Sequence, residues 1–178
     1  MTMKLKALVA ALAAAAVSTA YAGPVGTAKT IVTPPPPAPI GCTAFDGGLT
    51  VNPYAAYFIP DSGSDEFGGG LSVDYFFTPV VGISGFAQWG AFSQVVHNYG
   101  ADLVLRYPMT GPCIAPYAFG GAGVHTNSET EFIGRLGAGI DLRRAECGRG
   151  IFADWAYTFA GGDLDDYQVV RLGVKLPF

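Results

Sequence analysis

The chain has 178 residues, 13% of them charged and 50% apolar, with 25 glycines and a formal net charge of −4. Soluble domains usually carry about 25% charged residues, and an acidic balance without clustered Lys and Arg excludes the electrostatic footprint of nucleic-acid binding. Past the N-terminus no unbroken apolar run approaches the ~20 residues a membrane helix needs, so the apolar content is divided into short pieces that suit membrane-crossing strands better than a soluble core.

Residues 1–22 read as a cleaved secretory signal peptide. Lys4 and Lys6 form a positive start, Leu8 to Val17 an apolar stretch, and Ala20-Tyr21-Ala22 a small-x-small cleavage site before Gly23. The alternative, an uncleaved anchor helix, is disfavoured because Ser18 and Thr19 interrupt the run too early for a span. Residues 23–46 follow as a proline-rich linker, with Pro34 to Pro37 and Pro39 expected to be extended and semi-rigid. A docking site for a proline-reading module is the sharper and less favoured reading of that run. The three cysteines are Cys42, Cys113 and Cys147. An exported chain meets an oxidising compartment, so one pair is expected to bridge and one thiol to remain. Their spacings match no metal motif, and neither a metal nor another cofactor is expected.

From residue 47 to 178 short apolar segments alternate with turn signals, and eight strands are predicted. They run over Thr50–Ile59, Phe67–Phe77, Val80–Phe92, Val95–Tyr107, Ile114–Val124, Glu131–Arg143, Gly150–Ala160 and Tyr167–Phe178. The joints are rich in Gly, Pro, Asn, Asp and Ser, as in "PDSGSDE", "PMTGPC", "HTNSET" and "GGDLDD". Each strand matches the ~9–11 residues that cross a bilayer at a tilt, plus a short overhang.

Alternate side chains of a strand face opposite sides of its sheet. In the last strand Val170, Leu172, Val174, Leu176 and Phe178 share one face, and Arg171, Gly173 and Lys175 the other. The second, fourth, sixth and seventh strands divide the same way, whereas the first, third and fifth are less regular. The charged face is too sparse and too glycine-rich for a solvated exterior, so it is assigned to a crowded interior. The apolar face carries aromatics toward the strand ends: Phe77, Tyr107 and Phe178 at one rim, Phe67, Trp89, Tyr99 and Phe159 toward the other. Such girdles mark the two water–membrane interfaces. Hydrocarbon tolerates no open sheet edge. The expected fold is therefore all-β, an eight-stranded antiparallel transmembrane up-and-down β-barrel.

The closing residues Arg171, Gly173, Leu176 and Phe178 have the spacing polar-x-Gly-x-x-apolar-x-aromatic. This resembles the C-terminal signal by which the outer-membrane barrel assembly machinery recognises its clients, although an aromatic is commoner at the position of Leu176. The stretches "GGGLSVDYFFTPVVGISG", "PYAFGGAGVHT" and "RLGAGIDLR" are similar to strands of the small outer-membrane β-barrel family that includes the membrane domain of outer-membrane protein A. The resemblance covers most of the mature chain and implies residence in the outer membrane of a Gram-negative envelope, among lipid and lipopolysaccharide. No peptidoglycan-binding domain follows, so cell-wall tethering is not implied, and the family sets fold and location rather than activity.

Asp74, Gln88, Asp102, Arg106, Arg135, Asp141, Asp154, Arg171 and Lys175 are expected to project into the interior. An eight-stranded barrel is just wide enough for side chains to fill, and charges there are tolerable when paired. A self-satisfied polar plug is the favoured reading; a pore lining is the rival. His97 and His125 fall near the outer connections, with Ser128, Glu129 and Glu131 following His125. Eight-stranded lipid A deacylases carry His and Ser two apart in a late strand, and the seventh strand here holds neither, so the chain is not expected to be an enzyme. Asp61, Asp65, Glu66, Glu129, Glu131, Asp163, Asp165 and Asp166 form an acidic rim without calcium-loop spacing. Arg143, Arg144 and Arg149 gather at the opposite turn beside Cys147, where a Cys113–Cys147 bridge is conceivable. The expected function is structural: support of the envelope, or display of short surface loops. A narrow porin-like channel is the alternative, and a lipid A-modifying hydrolase a weaker one.

Overall fold

The computed structural model describes residues 43–61, 63–90, 96–109, 111–126, 130–144, 148–162 and 165–178. The stretch read as a signal peptide, with its expected cleavage point at Ala22 and Gly23, the expected linker as far as Cys42, and Cys147 lie outside the described residues. Eight strands close into one barrel: β1 (Gly48–Pro60), β2 (Glu66–Phe76), β3 (Val81–Gly90), β4 (Val96–Arg106), β5 (Ile114–Thr126), β6 (Thr130–Arg143), β7 (Gly150–Ala160) and β8 (Tyr167–Pro177). Every strand pairs antiparallel with its sequence neighbours, and β1 pairs with β8 to complete the ring. The eight-stranded antiparallel transmembrane barrel read from the sequence is the fold observed, with strand bounds within two residues of those expected.

Alternation decides which side chains look out. In β2, Ser72, Asp74 and Phe76 are buried while Leu71, Val73 and Tyr75 are exposed. In β7, Phe152, Asp154, Ala156 and Thr158 are buried, and Trp155 is 45% exposed. A soluble sandwich would hide that indole and expose the aspartate. The outward face holds exposed large apolar side chains on every strand except β5, where Ile114 and Val124 are half-buried and Ala118 and Ala122 are exposed; an apolar exterior is the arrangement lipid favours. Its rings cluster at the two rims, with Phe77, Tyr107 and Phe178 at the end where β1 begins and β8 ends (the terminal end) and Phe67, Trp89, Tyr99 and Phe132 toward the loop end.

The connections at the terminal end are short. In the β2–β3 turn the Thr78 hydroxyl accepts bonds from the backbone N–H groups of Val80 and Val81 at 3.2 and 3.0 Å, satisfying donors that the ladder leaves free. Ahead of β1 lies a single 3-10 turn, Thr43–Phe45. Gly47 and Gly48 then adopt φ of 101° and 104°, values open to glycine, and reverse the chain into β1. The turn, within the stretch read as linker, tucks Phe45 into the barrel mouth at 2% exposure. At the β1–β8 seam the ladder skips Asn52 and Pro53; proline has no N–H to give it.

Candidate functional site

The barrel wall aims its ionisable side chains at the lumen, because even-spaced positions of each strand share that face. Asp74, Gln88, Asp102, Arg106, Arg135, Asp141, Asp154, Arg171 and Lys175 are all buried, each at 6% exposure or less. Seven of them, together with Arg143, form four ion pairs. Arg171 grips Asp154 with two bonds, Nε to Oδ1 at 2.7 Å and Nη2 to Oδ2 at 2.9 Å, and the Tyr117 hydroxyl adds a third at 2.6 Å. Lys175 Nζ donates to Asp74 Oδ2 at 2.5 Å, and Ser84 donates to Oδ1 of the same carboxylate at 2.6 Å. Arg143 forks onto Asp141, with Nη2 to Oδ2 at 2.9 Å. Arg135 Nη2 lies 2.8 Å from Asp102 Oδ2, a charge contact whose angles fall short of a hydrogen bond. Gln88 accepts a long bond of 3.4 Å from the Tyr54 hydroxyl.

Aromatic rings supply what the carboxylates do not. Arg106 stacks 3.6 Å from the centre of Phe76, and Arg135 3.8 Å from that of Phe86. Arg171 lies near Tyr54 and Phe119, and Lys175 near Phe152 and Tyr117. A cation over a ring face gains roughly 1 kcal/mol, more where water is excluded. Among the described residues Arg106 has no carboxylate of its own. It donates to the Pro79 carbonyl at 2.7 Å and to the Phe45 carbonyl at 2.9 Å.

These rings are the part the sequence reading missed, since it assigned aromatics to the lipid face. Phe76 and Phe152 stand two residues from Asp74 and Asp154 on the same face, which was the available signal. Space for them comes from interior glycines. A Cβ on Gly100 would stand 2.7 Å from the Phe86 ring, and one on Gly173 2.6 Å from both Phe152 and Tyr54. Gly173 of the closing motif is thus held small by packing across the seam. Within that motif Arg171 points into the lumen, whereas Leu176 and Phe178 are exposed on the outer surface.

Both mouths are occupied by side chains. At the terminal end Phe45 is buried between Arg106 and Arg143, each guanidinium 5.0 Å from its ring, and Arg143 Nη1 donates to the Ala44 carbonyl at 2.9 Å. Arg143 therefore parts from Arg144 and Arg149, which are exposed. Toward the loop end lie Phe58, Tyr167, Val169 and Ala56 in one apolar cluster, beside a bond of 2.8 Å between His125 Nδ1 and Asn98 Oδ1. Among the ion pairs remains a cavity of about 20 Å³ lined by Asp74, Ser84, Asp102 and Arg106 among others. That is room for about one water molecule.

The two histidines lie on opposite faces of the wall: His125 is buried in the lumen, while His97 stacks on outward-facing Tyr99 at 6.1 Å. Ser128 and Glu129 lie outside the described residues. At the rim Asp65 accepts the Tyr57 hydroxyl at 2.7 Å, and Asp166 accepts that of Tyr157 at 3.1 Å. Among the described residues no group of three or more His, Cys, Asp or Glu could hold a metal ion. Asp163 lies outside the described residues.

No family model matches the sequence, and no curated protein does. Solved structures do. Neisserial surface protein A matches with a TM-score of 0.65 at 16% identity, covering 74% of this chain and 97% of that one. The N-terminal β-barrel domain of Pseudomonas aeruginosa OprF matches at 0.55 and 17% identity, covering 74% and 100%. Ail, the attachment invasion locus protein of Yersinia pestis, matches at 0.52 and 14% identity, covering 74% and 97%. At such identities the likeness is one of fold. In architecture the chain is a small eight-stranded β-barrel of the outer-membrane type.

Proposed function

We propose that this is a structural, non-conducting barrel of the Gram-negative outer membrane that supports the envelope and displays short loops. One observation carries the reading: the nine polar side chains expected in the interior are all buried there, and they and their supporting rings leave a cavity of about 20 Å³. A water column would need a continuous gap, and ion pairs stacked on rings crowd the described lumen. The outer-membrane location is supported by the apolar exterior, by the aromatic rims and by the fold shared with solved outer-membrane barrels. Lipid and lipopolysaccharide are the partners this exterior suits. The barrel assembly machinery would meet Leu176 and Phe178 on the outward face of β8. No enzymatic activity is proposed.

Single-channel recording in a planar bilayer tests the reading, with a heat-modifiability gel on the same sample to establish folding. Folded protein should leave the bilayer electrically silent. Discrete, stable conductance steps from folded protein would replace the plug with the narrow-channel reading.

A further inference from the structure

The β1–β8 ladder is the seam that closes the ring, and among the described residues it is the one ladder with a break in it. The register is the same on both sides of the break: Val51 stands opposite Leu176, and Tyr54 opposite Gly173, so no residue is bulged out. The Phe178 N–H bonds the Leu49 carbonyl at 3.0 Å. Hydrogen-bonded pairs recur at every second residue of an antiparallel ladder, which makes Pro53 and Val174 such a pair. Pro53 has no N–H to give, and the Val174 carbonyl goes without its ladder donor. Proline is tolerated on an edge strand, which β1 is until β8 arrives.

An ion pair runs behind that break. Lys175, next to Val174, is buried in the lumen and donates from Nζ to Asp74 Oδ2. Asp74 belongs to β2, where it stands opposite Thr50 of β1. The bond therefore leaves β8, crosses the inner face of β1 and lands on β2. β1 adds nothing to it: among the described residues Thr50 Oγ1 and Asn52 Oδ1, both buried, accept no hydrogen bond. The landing point is fixed from the far side, because Ser84 of β3 donates to Asp74 Oδ1 at 2.6 Å and the β2–β3 ladder is unbroken. The other three ion pairs lie elsewhere. Asp141–Arg143 is within β6, Asp154–Arg171 joins β7 to β8, and Asp102–Arg135 joins β4 to β6. Among the described residues Lys175–Asp74 is the one ion pair that spans the seam.

We propose that Lys175–Asp74 is the latch of the closing seam, a side-chain tie that bridges the break at Pro53 and holds β1 and β8 shut there. A buried ion pair is a modest source of overall stability, but this one stands where a backbone bond is missing, and its ends belong to the two strands that flank β1. Arg171 already ties β8 to β7, so with Lys175 the last strand is held on both sides. Loss of the latch opens the seam locally, as a sub-global event that leaves the remaining ladders closed.

Site-resolved hydrogen exchange of the full chain folded in detergent micelles, followed by NMR, tests the latch. The double variant Asp74→Leu, Lys175→Met removes it without stranding a charge, and Asp102→Leu, Arg135→Met removes a comparably buried pair away from the seam. In the first, the seam amides of Val51, Ala55, Leu172 and Leu176 are expected to exchange at least about tenfold faster than in the parent, with β3–β4 amides within about twofold. In the second, the seam amides keep the parent rates. Lys175→Arg, which preserves the tie, should keep them too. Seam rates unchanged by loss of the latch, or an acceleration spread evenly over all eight ladders, would overturn the proposal. If the first double variant gives no heat-modifiable band, Asp74→Asn, which weakens the charge contact in an isosteric side chain, carries the same comparison. Acceleration confined to the seam supports the latch there, and uniform or absent acceleration defeats it.

Discussion

The two halves of the lumen solve one packing problem with different chemistry. The half where β1 begins and β8 ends is ionic: Asp74–Lys175, Asp141–Arg143 and Arg106 sit there under the Phe45 plug, each cation against at least one ring. The half near the loops holds mostly neutral groups, Phe58, Tyr167, Val169, Asn98, His125 and Thr158, with Glu66 and Glu131 at its outer edge, each with one buried carboxylate oxygen. Asp154–Arg171 and Asp102–Arg135 mark the border. Neutral groups tolerate a mouth that water reaches, because a hydrogen bond lost there is replaced by one to solvent. Buried charges do not, and need partners that stay put. The ionic half is accordingly the one with a lid.

That contrast is broken most severely at the border. Arg171→Ala strands Asp154 in a dry interior and should cost about 4 kcal/mol, read as a lower urea midpoint for unfolding from lipid vesicles. The double variant Asp154→Leu, Arg171→Met should recover most of that loss, since an apolar pair of similar volume replaces a buried ion pair at little cost. Arg135→Ala should cost about 3 kcal/mol by the same mechanism, with bilayer conductance unchanged. A large conductance rise without loss of stability would show that the lumen is a gated path after all.

Smaller effects are expected from packing and from the neutral half. Gly173→Ala pushes a methyl between Pro53, Tyr54 and Phe152 at the seam and should cost about 2 kcal/mol, seen as a lower melting temperature of the folded band on unboiled gels. Asn98→Ala removes one neutral bond from His125, a loss of about 1 kcal/mol in the same unfolding assay. Tyr57→Phe at the exposed rim should fall within about 0.5 kcal/mol of the parent. If Asn98→Ala cost as much as Arg135→Ala, the division into ionic and neutral halves would fail.

The fold was legible because closure, strand length and face alternation are repeated constraints, each written many times along the chain. β2, β4, β6, β7 and β8 show them plainly. β1, β3 and β5 read less clearly, and the reason lies in the lumen: Tyr54, Phe58, Phe86, Tyr117 and Phe119 point inward, so β1 and β3 carry bulk on both faces, while β5 has its rings inside and small residues such as Ala118 and Ala122 outside. Local alternation cannot announce a ring destined to support a cation from another strand, such as Phe86 beneath Arg135. Arg143 was grouped with the turn arginines for a similar reason. Its inward course depends on Phe45 and Ala44, far away in sequence. The ionisable lumen residues could be named in advance; their pairing and platforms are tertiary facts.

The plug also gives the molecule a chronology. Seven of the eight ladders join strands consecutive in the chain, whereas β1 and β8 come from opposite ends. The Thr43–Phe45 turn takes its bonds from arginines on β4 and β6, so it can settle only after both strands have joined β5. Hairpins can zip as the polypeptide arrives, while the costly long-range closures wait for the rest. The stopper at the front of the barrel is thus written early and seated late, so a nascent cylinder stays unsealed until its wall is built.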